Sequence, residues 1–153
     1  MTTGAGRITL FVDTNVLVYA SLVNSPLSEQ AQNVLRSYKQ AGADIWISGQ
    51  VIREFLATLT RPQVFAQPAS AISLRAEVEL FTRQYHIAED NADVTEKLLQ
   101  IVKSVAVGGK QVHDANIVAT MQVYGVTHLL THNVSDFTRY SKFITVISLT
   151  APQ

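Results

Sequence analysis

The sequence predicts an α/β fold in which a parallel sheet is covered by helices on both faces. Three observations carry that expectation. Short apolar runs of strand length recur five times, segments with helical apolar spacing separate them, and the first run stops at a carboxylate in Phe11-Val12-Asp13-Thr14-Asn15. Strands that alternate with helices along a whole chain need crossover connections, which pair them in parallel and bury both faces of the sheet. Ligands of such sheets bind outside the carboxyl ends of the strands, where Asp13 would lie.

Taken in order, residues 1–6 are small and polar and are expected to fray. Ile8, Leu10 and Val12 form the first strand, and Asp13 is also a natural cap for the helix that follows. Ser25-Pro26 reads as a cap and first-turn proline. Leu27, Ala31, Val34, Leu35 and Tyr38 then recur at helical spacing up to Gly42. Ile45-Trp46-Ile47 is the second strand. Ser48 caps a helix striped by Ile52, Phe55, Leu56 and Leu59 that ends before Pro62, and Pro68 opens one carrying Leu74, Val78, Phe81 and Tyr85. A short third strand falls around Ile87. Asn91 or Asp90 caps a helix with Val94, Leu98, Ile101, Val102 and Val105 on one face. Gly108-Gly109 breaks the chain before a helix from about Gln111 to Gly125. Leu129-Leu130-Thr131 and Ile144-Thr145-Val146-Ile147 complete five strands. No repeat, linker or low-complexity segment interrupts the pattern, so residues 1–153 read as one domain.

Composition narrows the function. Lys plus Arg equals Asp plus Glu at 12 each, so no global basic field recruits a polyanion, and any such site is built locally. The absence of cysteine removes disulfide frameworks and thiolate metal sites. No signal-peptide pattern is evident, and no apolar run approaches the roughly 20 residues of a membrane span. A soluble, cytoplasmic domain is expected.

Four acidic residues fall where this architecture brings segments together: Asp13 after the first strand, Glu54 in the second turn of its helix, Asp114 in the first turn after the glycine loop, and Asp136 beyond the fourth strand. Each also has an ordinary explanation. Asp13 caps a helix, Glu54 is solvated beside Arg53 or Arg61, Asp114 favours a helix dipole, and Asp136 caps a short helix with Ser135. His113 and His132 read as polar loop residues, and no zinc pattern is present. Taken together, clustered carboxylates repel unless a cation neutralises them. An all-oxygen acidic pocket suits Mg²⁺ or Mn²⁺. The implied chemistry is metal-assisted hydrolysis of a phosphodiester.

The motifs Val12-Asp13-Thr14-Asn15-Val16-Leu17, Val51-Ile52-Arg53-Glu54-Phe55, Val112-His113-Asp114-Ala115 and Thr131-His132-Asn133 with Asp136-Phe137 occur in the order and spacing of a known family. The chain resembles the PIN domain nearly end to end, and within it the VapC-like ribonuclease toxins of bacterial toxin–antitoxin pairs. The resemblance implies a three-layer fold with strand order 3-2-1-4-5 and an acidic pocket between the first and fourth strands. It implies Mg²⁺- or Mn²⁺-dependent endonuclease action on RNA, with Asp13 and Asp114 as main metal ligands and Glu54 completing the pocket. Thr14, Asn15 and Thr131 would orient ligands or the scissile phosphate. Asn133 stands where many PIN domains carry Asp, and Asp136 is the candidate for that fourth acidic place.

For phosphate contacts the candidates are Arg53, Arg61, Lys110, Arg139 and Lys142. Tyr19, Tyr124 and Tyr140 are candidates to stack on bases, with core packing expected for at least two. The resemblance further implies a homodimer and a small antitoxin partner whose tail occupies the acidic groove. Apolar surface on the helices around 27–38 and 74–85 is available for an interface. Among rivals, a dehalogenase-type phosphatase needs an acid at Asn15, and a receiver domain needs an acidic pair and a late Lys that are not evident. The non-enzymatic rival is a PIN-like binding module that has lost catalysis.

Overall fold

The computed structural model describes residues 6–64 and 66–150. All of the 1–6 segment expected to fray, except Gly6, lies outside those residues. The sheet is assembled around β1 (Thr9–Val12), which pairs in parallel with β2 (Asp44–Ser48) on one side and β4 (His128–Thr131) on the other. β3 (His86–Ala88) adds outside β2 and β5 (Thr145–Ser148) outside β4, giving five parallel strands in the order 3-2-1-4-5. Leu10, Phe11 and Val12 are all completely buried. Successive strand side chains point to opposite faces, so three consecutive buried residues mean that both faces are covered.

The cover comes from α1 (Thr14–Ser21), α2 (Ser28–Gln40), α3 (Gly49–Leu59), α4 (Ala71–Gln84), α5 (Ala92–Ser104) and α6 (Gln111–Tyr124), with a short α7 (Val134–Phe137) after β4. Phe55 of α3 and Phe81 of α4 meet edge to face at 5.1 Å, tying those two helices together.

Local signals account for several helix ends. The Ser48 hydroxyl accepts from Val51 N at 3.3 Å and Asn91 Oδ1 accepts from Asp93 and Val94 N, both in the N-cap position. Gly125 ends α6 in the left-handed region at φ 69°, a conformation that favours glycine. Two starts differ from expectation. Ser25-Pro26 forms a turn, with Ser28 N bonded to Ser25 O, and α2 begins at Ser28. Pro68 likewise precedes its helix, and Ser70 is the cap of α4, accepting from Ser73 N at 3.1 Å. A proline's fixed φ suits a turn as well as a helical first turn, so the residue type alone does not choose between them. No helix among the described residues is long and apolar enough to cross a membrane.

Candidate active site

The strand order reverses between β1 and β4, and both strands end at that switch point. Asp13 N donates to Leu130 O at 3.0 Å, which carries the β1–β4 pairing one residue beyond Val12 and fixes where the carboxylate emerges. Asp13 is only 7% exposed and caps α1 while facing inward. Its Oδ1 accepts from Thr14 N at 2.8 Å, and its Oδ2 accepts from Thr131 Oγ1 at 2.8 Å and from Asn15 Nδ2 at 3.1 Å. Asn15 Oδ1 accepts in turn from His132 N at 3.0 Å, and Thr131 Oγ1 accepts from Asn133 N at 3.0 Å. The expected cap and the expected site residue are therefore the same side chain.

Glu54 projects from α3 to the same place. Thr14 Oγ1 donates to its Oε2 at 2.7 Å and Gln50 Nε2 donates to its Oε1 at 2.9 Å. It does not pair with Arg53 or Arg61: the Arg61 guanidinium turns back to Ala57 O. Asp114 sits in the first turn of α6, as expected. With Asp13, Thr14, Asn15, Glu54 and Asn133 it lines an open cleft of about 480 Å³ whose remaining wall includes Val18, Tyr19 and Leu22. Asp136, on α7, is exposed and does not line the cleft, but its charge acts on Asp114.

The electrostatics follow from crowding negative charge in a half-dry place. Burial pushes the Asp13 carboxyl up to about 6, against the lowering effect of its bonds from Thr131 and Thr14, and the Glu54 charge adds to the rise. Burial also pushes Asp114 up to about 6, reinforced by the charges of Asp13, Asp136 and Glu54 and opposed by His113. Among the described residues no Lys or Arg forms an ion pair with any of these four carboxylates. A hard divalent cation fits this donor set in type and charge: the available groups are oxygens, and the negative charge lacks a side-chain counter-charge. Among the described residues no three of His, Asp or Glu form a ready-made ligand set, and an ion such as Mg²⁺, which keeps several waters, needs only one or two carboxylates from the protein.

Some functional neighbours were not signalled by the sequence. Gln50, which is 6% exposed, and Asn116 bond to each other beneath Glu54, and neutral amides carry no charge pattern to mark them. His132 is half-buried rather than a simple loop residue; its Nδ1 is buried without a hydrogen-bond partner and its ring meets Tyr19 at 5.3 Å and 84°. Of the three candidate tyrosines, Tyr140 is wholly buried in the core, the Tyr124 hydroxyl bonds to Glu89 N and O, and Tyr19 lines the cleft. None of Arg53, Arg61, Lys110, Arg139 or Lys142 lines it.

A sheet with its switch point at β1 and β4, and acidic residues gathered there, is the arrangement of a PIN domain. The sequence model for the PIN domain matches residues 10–142, and the chain belongs to that family. None of the curated proteins matches the chain in sequence. Solved structures share the fold at low identity. VapBC2 of Rickettsia felis, bound to a DNA fragment from its promoter, is similar with a TM-score of 0.63 and 16% identity, covering 92% of this chain and 98% of that one. VapBC-1 of nontypeable Haemophilus influenzae is similar at 0.64 and 19%, covering 94% and 100%. VapC20 of Mycobacterium tuberculosis, a sarcin-ricin loop cleaving toxin, is similar at 0.59 and 19%, covering 78% and 86%.

Proposed function

We propose that this chain is a single-domain, metal-dependent endoribonuclease, the toxin of a toxin–antitoxin pair working in the cytoplasm. The observation that carries the reading is the set of acidic side chains, without Lys or Arg partners among the described residues, at the β1–β4 switch point of a PIN domain. That several structures of similar fold are VapBC complexes, and that one is a loop-cleaving toxin, supports the substrate class and the antitoxin partner.

In this reading Asp13, Glu54 and Asp114 would hold Mg²⁺ or Mn²⁺, and Asp136, outside the cleft lining, would add its charge to the site. The bound cation would supply hydroxide from water at neutral pH and offset charge on a phosphate under in-line attack. The protein's own part is positioning. Thr131, Asn15 and the Thr14 amide fix both oxygens of Asp13, and the Thr14 hydroxyl fixes Glu54. Thr14, Asn15 and Thr131 thus orient the ligands, and Asn133 steadies Thr131 through its backbone N–H. Val18, Tyr19 and Leu22 offer an apolar wall against which a base flanking the scissile bond can rest. Lys110, at the start of α6, and Arg53, on α3, are the nearest candidates in sequence to Asp114 and Glu54 for phosphate contacts. The chain is expected to form a homodimer, which sedimentation at tens of micromolar checks.

The deciding experiment is RNA cleavage with Mg²⁺ or Mn²⁺ by wild type, Asp13→Asn and Asp114→Asn. Asn preserves shape and removes the charge that holds the cation. The expected result is cleavage by wild type and a loss of orders of magnitude in both folded variants. Three proteins that behave alike would instead support a PIN-like binding module, the reading in which Asn133 marks lost catalysis.

A further inference from the structure

One buried amide joins the carriers of two of the acidic residues. Gln50 lies one turn before Glu54 on α3. Its Nε2 donates to Glu54 Oε1 at 2.9 Å and to the carbonyl oxygen of His113 at 3.0 Å, a residue 63 positions away in the chain. Its Oε1 accepts from Asn116 Nδ2 at 2.8 Å. Asn116 Nδ2 also reaches towards Asp90 Oδ2 at 3.4 Å, just past the end of β3.

These partners settle which way both amides point. Gln50 has a carboxylate and a carbonyl on one side, which accept only, and an amide NH₂ on the other, which donates only. A reversed Gln50 would set its oxygen against Glu54. A reversed Asn116 would set its oxygen against both Asp90 and Gln50. Donors therefore run in one direction, from Asn116 to Gln50 to Glu54. His113 immediately precedes Asp114, so the bond to its carbonyl ties the first turn of α6 to α3 at the level of Glu54. The second Glu54 oxygen is taken by Thr14, leaving the carboxylate braced from two sides.

We propose that Gln50 is a positioning residue of the acidic cleft, setting the orientation of Glu54 and its spacing from Asp114 for a shared divalent cation. The inference rests on the metal-dependent reading above. A neutral amide is what this position requires. A carboxylate there would repel Glu54, and a cationic side chain would take the charge meant for the metal. Gln50 itself does not line the cleft.

The test is Mn²⁺ binding, followed by electron paramagnetic resonance on RNA-free protein, in wild type, Gln50→Met, Asn116→Ala and Asp114→Asn, each first checked for a cooperative melt. Gln50→Met keeps length and volume but lacks the donors and acceptor. It is expected to bind Mn²⁺ at least tenfold more weakly and to exchange the amide hydrogens of the first turn of α6 faster. In cleavage assays its kcat is expected to fall about tenfold with KM for RNA within twofold, a split that a purely structural role would not produce. Asn116→Ala frees the Gln50 amide to turn and is expected to weaken Mn²⁺ about threefold, which keeps the inference testable if Gln50→Met fails to fold. Unchanged Mn²⁺ affinity in a folded Gln50→Met, with Asp114→Asn clearly impaired, would overturn this inference and leave the nuclease reading standing. Failure of wild type itself to bind Mn²⁺ would overturn both.

Discussion

Thr131 donates its hydroxyl to Asp13 Oδ2 at 2.8 Å, joining the ends of two adjacent strands that lie 118 residues apart in the chain. Thr131 is completely buried, and its oxygen also accepts from Asn133 N. Thr131→Val keeps the shape and removes the hydroxyl, leaving one donor fewer on a buried carboxylate and an amide without its acceptor. The expected cost is about 1–3 kcal/mol in urea unfolding at pH 7. Thr131→Ser should recover most of it, and a Val variant as stable as wild type would show that the hydroxyl adds nothing net.

The raised acids set a pH dependence opposite to that of an ordinary salt-bridged carboxylate. Asp13 and Asp114 titrate near 6 in the folded chain against an ordinary value of 3.8. Between those values the folded state holds more protons than the unfolded one, so their contribution to stability falls as pH rises from about 4 through 6. Cation-free protein is therefore expected to melt lower at pH 7.5 than at pH 5, and Mn²⁺ at pH 7.5 should recover the difference. Asp13→Asn should flatten the slope. Thermal melts with EDTA and with Mn²⁺ across this range check the sign.

Asp136 and Asp114 are separable by degree. Asp136 is exposed and outside the cleft lining, yet its charge raises the Asp114 carboxyl. Asp136→Asn is expected to weaken Mn²⁺ binding by several-fold, against orders of magnitude for Asp114→Asn. It should also lower the Asp114 titration midpoint, which carboxyl ¹³C NMR resolves. Equal losses in the two variants would make Asp136 a full ligand.

Gly125→Ala provides a control remote from the cleft. Nothing lies within 4 Å of the position a Cβ would take, so the cost comes from placing Ala at φ 69° and not from a clash. About 1 kcal/mol of stability should be lost in chemical denaturation. Cleavage should be unchanged at temperatures where the variant is folded.

Much of this was legible because the signals are local. The carboxylate after an apolar strand, the Ser48 and Asn91 caps and the Gly125 stop each depend on a few neighbouring residues, and the strand order followed from a family pattern spread over four short motifs. What escaped depends on distant partners. Glu54 is expected in the pocket, with pairing to Arg53 or Arg61 as its ordinary alternative, but its donors Thr14 and Gln50 cannot be read from adjacency. Core packing is expected for at least two of the three tyrosines, but the sequence does not say which; Tyr140 is one, with Phe137 beside it at 6.2 Å and the ring fully enclosed. Gln50 and Asn116 carry neither charge nor periodicity, and only the approach of α6 to α3 gives them meaning.

The central position of β1 also orders events during synthesis. The first strand to leave the ribosome is the one that needs neighbours on both sides, and its second neighbour, β4, is not made until residue 131. Until then Asp13 has no Thr131 to hold it, and Asp114 has only just been added. A growing chain thus carries Asp13, Glu54 and Asp114 before the cleft exists, and the cleft is completed only when β4 pairs with β1. Fragments ending near residue 125 are accordingly expected to bind no Mn²⁺. For the proposed nuclease, that order would leave the acidic residues unassembled until most of the chain has been made.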